Sequence, residues 1–267
     1  MDFADSQIIR YSRQIRLKEI GVKGQKKLAA GSVLVIGAGG LGSPAAMYLA
    51  AAGIGRIGIA DGDAVDLSNL QRQILHSEAD LNKAKVLSAE ETLKGINSGI
   101  TVQTYEEMVT PDNILSLISD YVIVLDCTDS FAMKFMINDA CVIGNKPFVH
   151  AGITGFEGQL MTVLPHKTTC YRCVFEQPPA PGTVPTCSEA GVIGAVAGVI
   201  GTLQALEAIK FFTGAGKLLT GKMLTFDGLE MKFRGVPFPN RRCDCLVCSD
   251  QATIRTLETY EEACELK

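Results

Sequence analysis

The sequence contains no long run of lysine or arginine, and its 25 basic residues are outnumbered by 29 acidic ones, which gives a formal net charge of −4. This balance argues against nucleic acid or an anionic membrane surface as the main partner, because both bind basic patches. A small molecule or a protein partner is therefore favoured. With 267 residues and 47% hydrophobic content, the chain is long enough for one large domain or two small ones with a sizeable core.

The first residues of the sequence also include no long apolar run. The N-terminus MDFADSQIIRYSRQ carries early acids and no hydrophobic h-region, so we expect no signal or transit peptide and a cytoplasmic protein. The longest apolar run, residues 190–209, is preceded by Glu189 and interrupted by Gln204 and Glu207, which argues against a membrane span. We interpret it as a buried helix in which Gly194 and Gly198 allow close approach of a neighbouring element or subunit.

Strand-like and helix-like segments alternate through the first 150 residues. The predicted strands are SVLVI, RIGIADGD, ITVQTYE, YVIVLDCTD and PFVHAG. The predicted helices are SPAAMYLAAA closed by Gly53, residues 82–95, residues 110–119 with Thr110 as N-cap and Pro111 in the first position, and residues 131–143. The alternation predicts an α/β fold, a Rossmann-like and mostly parallel sheet with helices on both faces and ligands at the carboxyl ends of the strands.

Beyond about residue 150 the pattern changes. GQLMTVL and KMLTFDGLEMKF are typical of strands joined by turns, with a helix over 190–212 between them, so we expect antiparallel strands to continue the sheet. The stretch EQPPAPGTVPTCSEAG has four prolines and predicts a mobile loop. The residues from 250 onward are polar and predict a helical tail.

A glycine fingerprint follows the first predicted strand. Gly37, Gly39 and Gly42 form G-x-G-x-x-G where a helix begins, the context in which this motif binds phosphate through free backbone N–H groups. Asp61, about 20 residues further on, ends the second strand and is placed to accept hydrogen bonds from a ribose hydroxyl. The alternative is a purely structural role, in which these glycines only permit tight packing. Nucleotide binding is indicated, but a dinucleotide and a triphosphate are not yet distinguished.

Charged residues after the fingerprint favour a triphosphate. Arg72 and Lys85 follow the ribose acid, and Asp129 follows the fourth strand at the same edge of the sheet. Two cations and a carboxylate able to hold Mg²⁺ suit the charge of ATP and of a leaving pyrophosphate better than the two phosphates of NAD. Taken singly, Arg72 and Lys85 could equally be solvated surface charges, and Asp129 could equally be the cap of the next helix.

Two C-x-x-C pairs, Cys170 with Cys173 and Cys245 with Cys248, match a tetrahedral Zn²⁺ site with four sulfur ligands. Closing the intervening loop of about 70 residues costs about 4 kcal/mol, whereas structural zinc stabilises by roughly 10–16 kcal/mol. Cys243 is an alternative ligand because it lies two residues before Cys245. The site is expected to be structural. We interpret Cys127, Cys141 and Cys264 as structural or incidental, and assign none of the three histidines as a ligand.

Ordered motifs extend over most of the chain, from about residue 8 to about residue 250: RYSRQI, GAGGLGSP, DLSNLQRQ, DCTDS, CYRC, TCSEAG and CLVC. In this order they resemble the ThiF and MoeB family, bacterial relatives of the ubiquitin-activating enzymes. The resemblance implies ATP- and Mg²⁺-dependent adenylation of the C-terminal Gly-Gly carboxylate of a ubiquitin-like sulfur carrier of the ThiS or MoaD type. It also implies a homodimer.

The resemblance assigns roles to particular positions. It implies that the loop with Gly39, Gly40 and Gly42 holds the nucleotide, that Asp61 holds the ribose, and that Asp129 holds the metal. The implied phosphate contacts are Asn69, Arg72 and Lys85, and Arg13 is similar to an arginine that reaches into the neighbouring subunit's site. Ser130 departs from the usual family motif, which has asparagine there, so any hydrogen bond from that side chain must be made differently or lost.

Cys187 lies outside both cysteine pairs, just before a predicted helix, where a thiol can have a lowered pKa and act as a nucleophile. In some members of the resembling family this thiol attacks the carrier adenylate or joins the carrier through sulfur, and in others it is not required for adenylation. Both a chemical role and a dispensable loop residue remain open here.

We expect a single adenylation domain over residues 1–250, with a nucleotide-binding half at about 30–150, a carrier-binding and zinc half at about 151–250, and a tail over 251–267. We expect no rhodanese-like domain of the kind that some members of the resembling family carry, so that by analogy a separate cysteine desulfurase or sulfurtransferase would supply the sulfur. Thiamin, molybdopterin and other sulfur-transfer pathways stay open. Two rival functions are an NAD-dependent oxidoreductase, suggested by the glycine fingerprint and Asp61 alone, and a non-catalytic, zinc-stapled partner subunit of an activating enzyme.

Overall fold

Short runs of β-branched and other apolar residues form the strands of one eight-stranded sheet. The computed structural model describes residues 3–179, 190–238 and 240–257. Within them the strands are β1 (Ser32–Ile36), β2 (Arg56–Ala60), β3 (Thr101–Tyr105), β4 (Ile123–Asp126), β5 (Phe148–Thr154), β6 (Glu157–Val163), β7 (Lys222–Asp227) and β8 (Lys232–Pro237). The α-helices are α1 (Asp5–Ile15), α2 (Gly21–Ala29), α3 (Gly42–Ala52), α4 (Lys85–Ile96), α5 (Ile114–Ser119), α6 (Phe131–Ile143), α7 (Tyr171–Val174) and α8 (Gly194–Thr213).

The strand order is β3-β2-β1-β4-β5-β6-β7-β8. The strands from β3 to β5 in this order pair in parallel, and β6, β7 and β8 continue the sheet in antiparallel pairs. The predicted fold class, a parallel Rossmann-like sheet extended by antiparallel strands, is therefore confirmed. The direction of strand succession reverses between β1 and β4, and in such sheets ligands bind beyond the carboxyl ends of the strands at that switch point.

Alternating residues of the parallel strands pack into two apolar layers, one on each face of the sheet. Val33 and Val35 of β1 join the layer under α3, α4 and α8, whereas Leu34 and Ile36 join the layer under α5 and α6. Because both faces are covered, these strands read as continuous apolar runs rather than as alternating ones. The cysteine pairs lie in the second layer.

Two helices match their predicted limits closely. Helix α6 spans residues 131–143 as predicted, and α3 ends at Gly53, whose φ of +83° is a left-handed cap that favours glycine. A Cβ atom on Gly53 would lie 2.5 Å from the ring of Tyr11, so the close packing of α1 on this turn also requires glycine.

The predicted start of two other helices is wrong. Helix α4 begins at Lys85 and not at residue 82, because Asn82 has a φ of +66°, which a right-handed helix does not allow. Helix α5 begins at Ile114 with Asn113 at the N-cap position, so neither Thr110 nor Pro111 has its predicted place. The Asn113 side chain accepts a hydrogen bond from the Thr110 N–H (2.8 Å) and donates one to the Met108 carbonyl (2.9 Å). These bonds close a turn that leads into the helix, since the Ile114 N–H donates to the Thr110 carbonyl (3.0 Å).

Helix α8 is long and apolar enough to span a membrane by length and composition alone. In the fold it packs against α3 and against β5 and β6. Its polar residues Gln204 and Glu207 are buried with partners, since Gln204 Nε2 donates to the Asp126 carbonyl (2.8 Å) and Glu207 accepts from Thr162 Oγ1 (2.6 Å). These contacts are those of a core helix, as the sequence predicts, although α8 begins at Gly194 rather than at residue 190.

Of the two glycines predicted to allow close approach, Gly194 does so and Gly198 does not. A Cβ atom on Gly194 would lie 2.3 Å from the Gln71 carbonyl oxygen, whereas one on Gly198 would meet no atom within 4 Å. Gly201, which the sequence analysis did not single out, makes the second close approach, because its Cβ would lie 2.3 Å from the Leu41 carbonyl oxygen.

The described part of the tail, residues 251–257, contains no helix, and Ala252 is buried. The Ile254 N–H donates to the Leu246 carbonyl (2.9 Å), so this stretch folds back onto the second cysteine pair. The helical prediction is wrong for these seven residues. Residues 258–267 of the predicted tail and residues 180–189 of the predicted mobile loop lie outside the described part of the chain.

Candidate functional site

The glycine loop connects β1 to α3 and touches the loop that follows β4. Gly37 has a φ of +96°, and a Cβ atom there would lie 2.8 Å from the Cys127 carbonyl oxygen. A Cβ atom on Gly42 would lie 1.9 Å from the Gly37 carbonyl oxygen, so only glycine allows this tight turn. The loop and the start of α3 therefore lie at the switch point between β1 and β4, with backbone N–H groups available for an anion.

Asp61 holds the glycine loop from the end of β2. Its Oδ2 accepts a hydrogen bond from the Ala38 N–H (2.8 Å), and its Oδ1 accepts one from the Asp63 N–H (2.9 Å). Each carboxylate oxygen can accept a further hydrogen bond, so the arrangement leaves capacity for a ribose hydroxyl. The predicted ribose acid is thus also a structural ligand of the loop.

His76 holds the same loop residue from the other side, a role that the sequence analysis missed. The ring is buried, with Nε2 3.0 Å from the Ala38 carbonyl oxygen and Nδ1 2.8 Å from Ser88 Oγ. Because a carbonyl oxygen only accepts, Nε2 carries the hydrogen. Burial lowers the pKa of His76 and the charge of Lys85 lowers it further, against the opposing effect of the Ala38 hydrogen bond, so the ring is held neutral.

Lys85 and Arg72 lie next to this loop. The buried Lys85 places Nζ 2.7 Å from Asp63 Oδ2 and 4.0 Å from Asp61 Oδ1. The Arg72 side chain lies against Gly40, whose Cβ would be 3.5 Å from Arg72 Cγ, and its guanidinium donates to the Ser68 carbonyl (3.0 Å). Two predicted phosphate-contacting cations are therefore beside the glycine loop. Asp63, which holds Lys85, was not predicted.

Asn69 belongs to the same segment as Arg72, in a short 3-10 turn over Leu67–Asn69. Its Oδ1 accepts a hydrogen bond from the Asp66 N–H (3.3 Å), which closes the turn that leads into Arg72. A nucleotide contact of Asn69 remains a prediction.

Asp129 is exposed and follows β4 across the switch point from the glycine loop. The N-cap of α6 is Ser130, whose hydroxyl oxygen accepts from the Met133 N–H (3.2 Å). Asp129 therefore does not cap the helix, and its carboxylate is available to a metal ion. Ser130, which replaces the asparagine of the usual family motif, therefore makes the capping hydrogen bond of α6.

Arg13 is exposed on α1, away from this edge. Helix α1 packs on the carboxyl ends of α3 and α4, since Gln14 Nε2 donates to the Ala52 carbonyl (3.1 Å) and Arg10 to the Ile96 carbonyl (2.9 Å). In a parallel sheet the carboxyl ends of the crossover helices lie opposite the carboxyl ends of the strands. The fold thus places Arg13 at the far edge from its own glycine loop.

The two cysteine pairs come together as predicted. The Sγ atoms of Cys170, Cys173, Cys245 and Cys248 all lie within 4.8 Å of one another. Cys170 Sγ is 3.7 Å from Cys245 Sγ, and Cys173 Sγ is 3.4 Å from Cys248 Sγ. These separations are close to the edge of about 3.8 Å of a tetrahedron with metal to sulfur bonds of about 2.3 Å. The arrangement could hold a metal ion, and the exposed Cys243 is not part of it.

The first cysteine pair is tied to α6 through the two residues between its ligands. Arg172 forms a buried ion pair with Asp139, with Nε 2.8 Å from Oδ1, and the Tyr171 N–H donates to Asn138 Oδ1 (2.9 Å). The sequence analysis did not predict a role for Asp139 or Asn138. Cys187, which the sequence analysis considers as a nucleophile, lies outside the described residues, so its role stays a prediction.

Comparisons with known proteins show which sequences and structures this chain resembles. A sequence model of the ThiF family matches residues 11–247. The chain is 49% identical over 264 residues to "Adenylyltransferase and sulfurtransferase MOCS3" of Culex quinquefasciatus, covering 98% of this chain and 60% of that protein. It is 48% identical over 259 residues to the protein of the same name from Mus musculus, covering 97% of this chain and 56% of that protein.

Solved structures share the fold. A crystal structure of E. coli MccB with ATP superposes with a TM-score of 0.75 at 27% identity, covering 90% of this chain and 74% of that chain. The chain spans 60% or less of the length of the two curated relatives described above. The ordered motifs, the sheet order and the family match over residues 11–247 lead to one conclusion: the chain belongs to the ThiF family.

Proposed function

We propose that this protein adenylates the C-terminal carboxylate of a ubiquitin-like sulfur carrier protein that ends in Gly-Gly, using ATP and releasing pyrophosphate. The observation that carries the proposal is the meeting of the glycine loop, Arg72, Lys85 and the exposed Asp129 around one switch point. The names of the relatives that are 48% and 49% identical, adenylyltransferase and sulfurtransferase, support the same reaction class.

The reaction follows from charge. An oxygen of the carrier carboxylate attacks the α-phosphorus of ATP, the bond to the bridging oxygen breaks, and pyrophosphate leaves with the electron pair. The nucleophile is already ionised at pH 7, so no general base is needed. Since two anions must meet, Arg72 and Lys85 would offset their repulsion and the charge growing on the leaving group. Lys85 would exchange its contact with Asp63 for a phosphate oxygen, and Asp61 would fix the ribose.

The site fits Mg²⁺, because Asp129 offers an exposed carboxylate at the edge where the phosphates would lie. Mg²⁺ bound with ATP neutralises phosphate charge and aligns the leaving group. The four clustered thiols fit Zn²⁺, with no protein ligand position left open, which is typical of a structural site.

The active form is proposed to be a homodimer in which Arg13 completes the site of the neighbouring subunit. The position of α1 at the far edge of the sheet supports this, because Arg13 is remote from its own glycine loop.

Mixing two inactive variants tests this arrangement. Arg13→Ala and Asp129→Ala should each abolish activity alone, but subunit exchange should restore it, because one of the two sites in a mixed dimer is then intact. At equal concentrations about a quarter of all sites would be wild type in a closed two-fold dimer. The readout is ATP–pyrophosphate exchange after exchange of subunits. No recovery, with mixed dimers demonstrated by mass spectrometry, would place Arg13 in its own subunit's function or in none.

The sulfur-transfer steps are the finer part of the proposal. A separate cysteine desulfurase or sulfurtransferase would supply sulfur. Cys187 Sγ would attack the acyl carbon of the carrier adenylate, so that a thioester forms and AMP leaves, or it would attack a disulfide between the carrier thiocarboxylate and the donor thiol, so that Cys187 joins the carrier through sulfur and the donor thiol leaves. Full thiocarboxylation by Cys187→Ala with a physiological sulfur donor would make this thiol dispensable. The identity of the carrier would determine whether the protein acts in thiamin biosynthesis, in molybdopterin biosynthesis or in another sulfur-transfer pathway.

Two rival functions fit less well. An NAD-dependent oxidoreductase has no use for Arg72, Lys85 and Asp129 around one phosphate loop, and tight binding of NADH in preference to ATP would revive it. A non-catalytic partner subunit would not require these three residues to be present together.

Pyrophosphate exchange tests the proposed function directly. Wild-type protein with ATP and Mg²⁺ should exchange labelled pyrophosphate into ATP only when a Gly-Gly carrier is present. The same carrier lacking its last glycine is the matched control and should support none. Absence of exchange with every Gly-Gly carrier of the source organism, despite carrier binding, would favour the non-catalytic reading.

A further inference from the structure

A buried charged cluster lies directly beneath the loop that carries Asp129. It consists of Asp126 at the end of β4, Lys134 on α6 and His150 on β5, with side-chain exposures of 1%, 6% and 1%. Lys134 Nζ donates to the Thr128 carbonyl (2.7 Å) and the Ala151 carbonyl (2.6 Å), and lies 3.5 Å from Asp126 Oδ2. His150 Nδ1 is 2.8 Å from the same carboxylate oxygen.

This cluster fixes Thr128 at three points. The Thr128 N–H (3.2 Å) and hydroxyl (2.7 Å) both donate to Asp126 Oδ1, and the Thr128 carbonyl accepts from Lys134. Asp129 is the next residue, and on its other side Ser130 is fixed as the N-cap of α6. The backbone on both sides of the exposed Asp129 carboxylate is therefore held by hydrogen bonds, those of the buried cluster on one side and the helix cap on the other.

Packing alone does not explain a lysine at this position. A buried ammonium group is costly unless its donors are satisfied, and an apolar side chain of similar size would fill the space without that cost. Here the three acceptors satisfy it, and two of them are Asp126, which ends the strand before the loop that carries Asp129, and Thr128 in that loop. Burial raises the pKa of Asp126, but the charge of Lys134 and the hydrogen bonds from His150 and Thr128 outweigh it and hold that pKa at about 2.

The geometry points to Lys134 as a positioning residue that sets the place of the Asp129 carboxylate for the divalent metal of the bound nucleotide. It acts through the Thr128 carbonyl and Asp126 and touches neither metal nor nucleotide itself. The inference rests on the proposed function, because it requires that Asp129 holds a metal there. Residues that orient a metal ligand typically change metal affinity by about 10–100-fold when replaced.

The test measures Mn²⁺ binding by electron paramagnetic resonance in the presence of a non-hydrolysable ATP analogue, and binding of the same analogue without metal. Lys134→Met should weaken Mn²⁺ binding about tenfold or more and leave metal-free analogue binding within about twofold. Lys134→Arg, which keeps the charge and the donors, should restore most of the affinity. Unchanged Mn²⁺ affinity in Lys134→Met, or an equal loss of metal-free binding, would overturn the inference.

Lys146→Met is the matched control. Lys146 also donates to two carbonyls, those of Ser119 (2.6 Å) and Tyr121 (2.9 Å), but these precede β4 at the opposite edge of the sheet. It should leave Mn²⁺ affinity unchanged. If Lys134→Met does not fold, Thr128→Val decides, because it removes only the hydroxyl bond to Asp126 and should still weaken Mn²⁺ binding selectively.

Asp129→Asn distinguishes the metal-binding role of Asp129 from the positioning role of Lys134. The Mn²⁺ measurement allows this because carrier adenylation is not needed for Mn²⁺ binding. If Asp129→Asn leaves Mn²⁺ affinity unchanged, the proposed role of Asp129 fails. If Asp129→Asn weakens it and neither Lys134→Met nor Thr128→Val does, the role of Asp129 stands and the positioning role of Lys134 is wrong.

Discussion

Replacing Asp129 by alanine or asparagine should abolish carrier-dependent ATP–pyrophosphate exchange, with a fall of roughly 10²–10³-fold or more. An amide or a methyl group supplies no negative charge to a metal ion, so the phosphate charges would stay uncompensated as pyrophosphate leaves. Because the Asp129 side chain is exposed and does not cap α6, its loss should leave the melting temperature near that of the wild type. The measurements are pyrophosphate exchange and thermal denaturation.

Asp120→Asn provides a matched control for this change. Asp120 is another exposed acid, before the start of β4 and thus at the opposite edge of the sheet, where it lies 3.8 Å from Arg56. Such a surface pair contributes little to stability, so Asp120→Asn should retain exchange. Exchange near the wild-type rate in Asp129→Asn would remove Asp129 from the mechanism.

The parts of the site that were predicted from the sequence have local signatures. The glycine fingerprint and the C-x-x-C pairs are recognised by fixed spacing, because one turn of backbone or one metal knuckle requires those residues at those positions. The strands were recognised because each is a short apolar run between turns, and the alternation with helices specified a parallel sheet. The same local information placed Asp61 and Asp129 at strand ends.

The supporting residues have no such signature. His76 contacts a carbonyl 38 residues earlier, Lys85 pairs with an acid 22 residues earlier, and Lys134 reaches a carbonyl 17 residues later. These contacts exist only after folding has brought segments distant in the sequence together. A single histidine or lysine is compatible with a surface position as well as with a buried one, so sequence spacing alone did not distinguish them.

Helix starts were missed for a related reason. Thr110 followed by Pro111 is a common helix start, but the residues before Ile114 form a turn that the Asn113 side chain closes on Thr110 and Met108, and the regular helix begins only after this turn. Short polar side chains stabilise both caps and turns, and the tertiary structure determines which of the two forms. The Arg13 prediction had no local basis either and came only from the family resemblance.

The cysteine cluster is connected to the candidate site by α6. The first pair docks on the middle of α6 through the Arg172–Asp139 ion pair, and the N-cap of the same helix is the residue after Asp129. The ring of Tyr171 also lies 4.4 Å, centre to centre, from the ring of His150 in the buried cluster. Loss of a metal ion from the predicted site would therefore loosen the support of α6 as well as release the C-terminal segment.

We predict that the four clustered thiols hold a zinc ion, and that replacing Cys245 by serine removes this ion and strongly destabilises the fold. Structural zinc contributes roughly 10–16 kcal/mol of apparent binding free energy, which exceeds the cost of about 4 kcal/mol for closing the loop between the two pairs. Without the metal, the loop entropy favours release of the segment that contains the buried residues Val247 and Cys248. Zinc content, the melting temperature and limited proteolysis near residues 240–257 are the measurements. A strong chelator should have the same effect on the wild type.

Cys243→Ser is the matched control for the zinc prediction, because this exposed cysteine lies two residues away from Cys245 and outside the cluster. It should keep one zinc ion per chain and a melting temperature near that of the wild type. Both variants exchange one thiol for one hydroxyl in the same short segment, so a difference between them isolates metal ligation from any general effect of the substitution. If Cys245→Ser retains its zinc and its melting temperature, or if both variants lose them equally, the four clustered thiols are not the structural metal site.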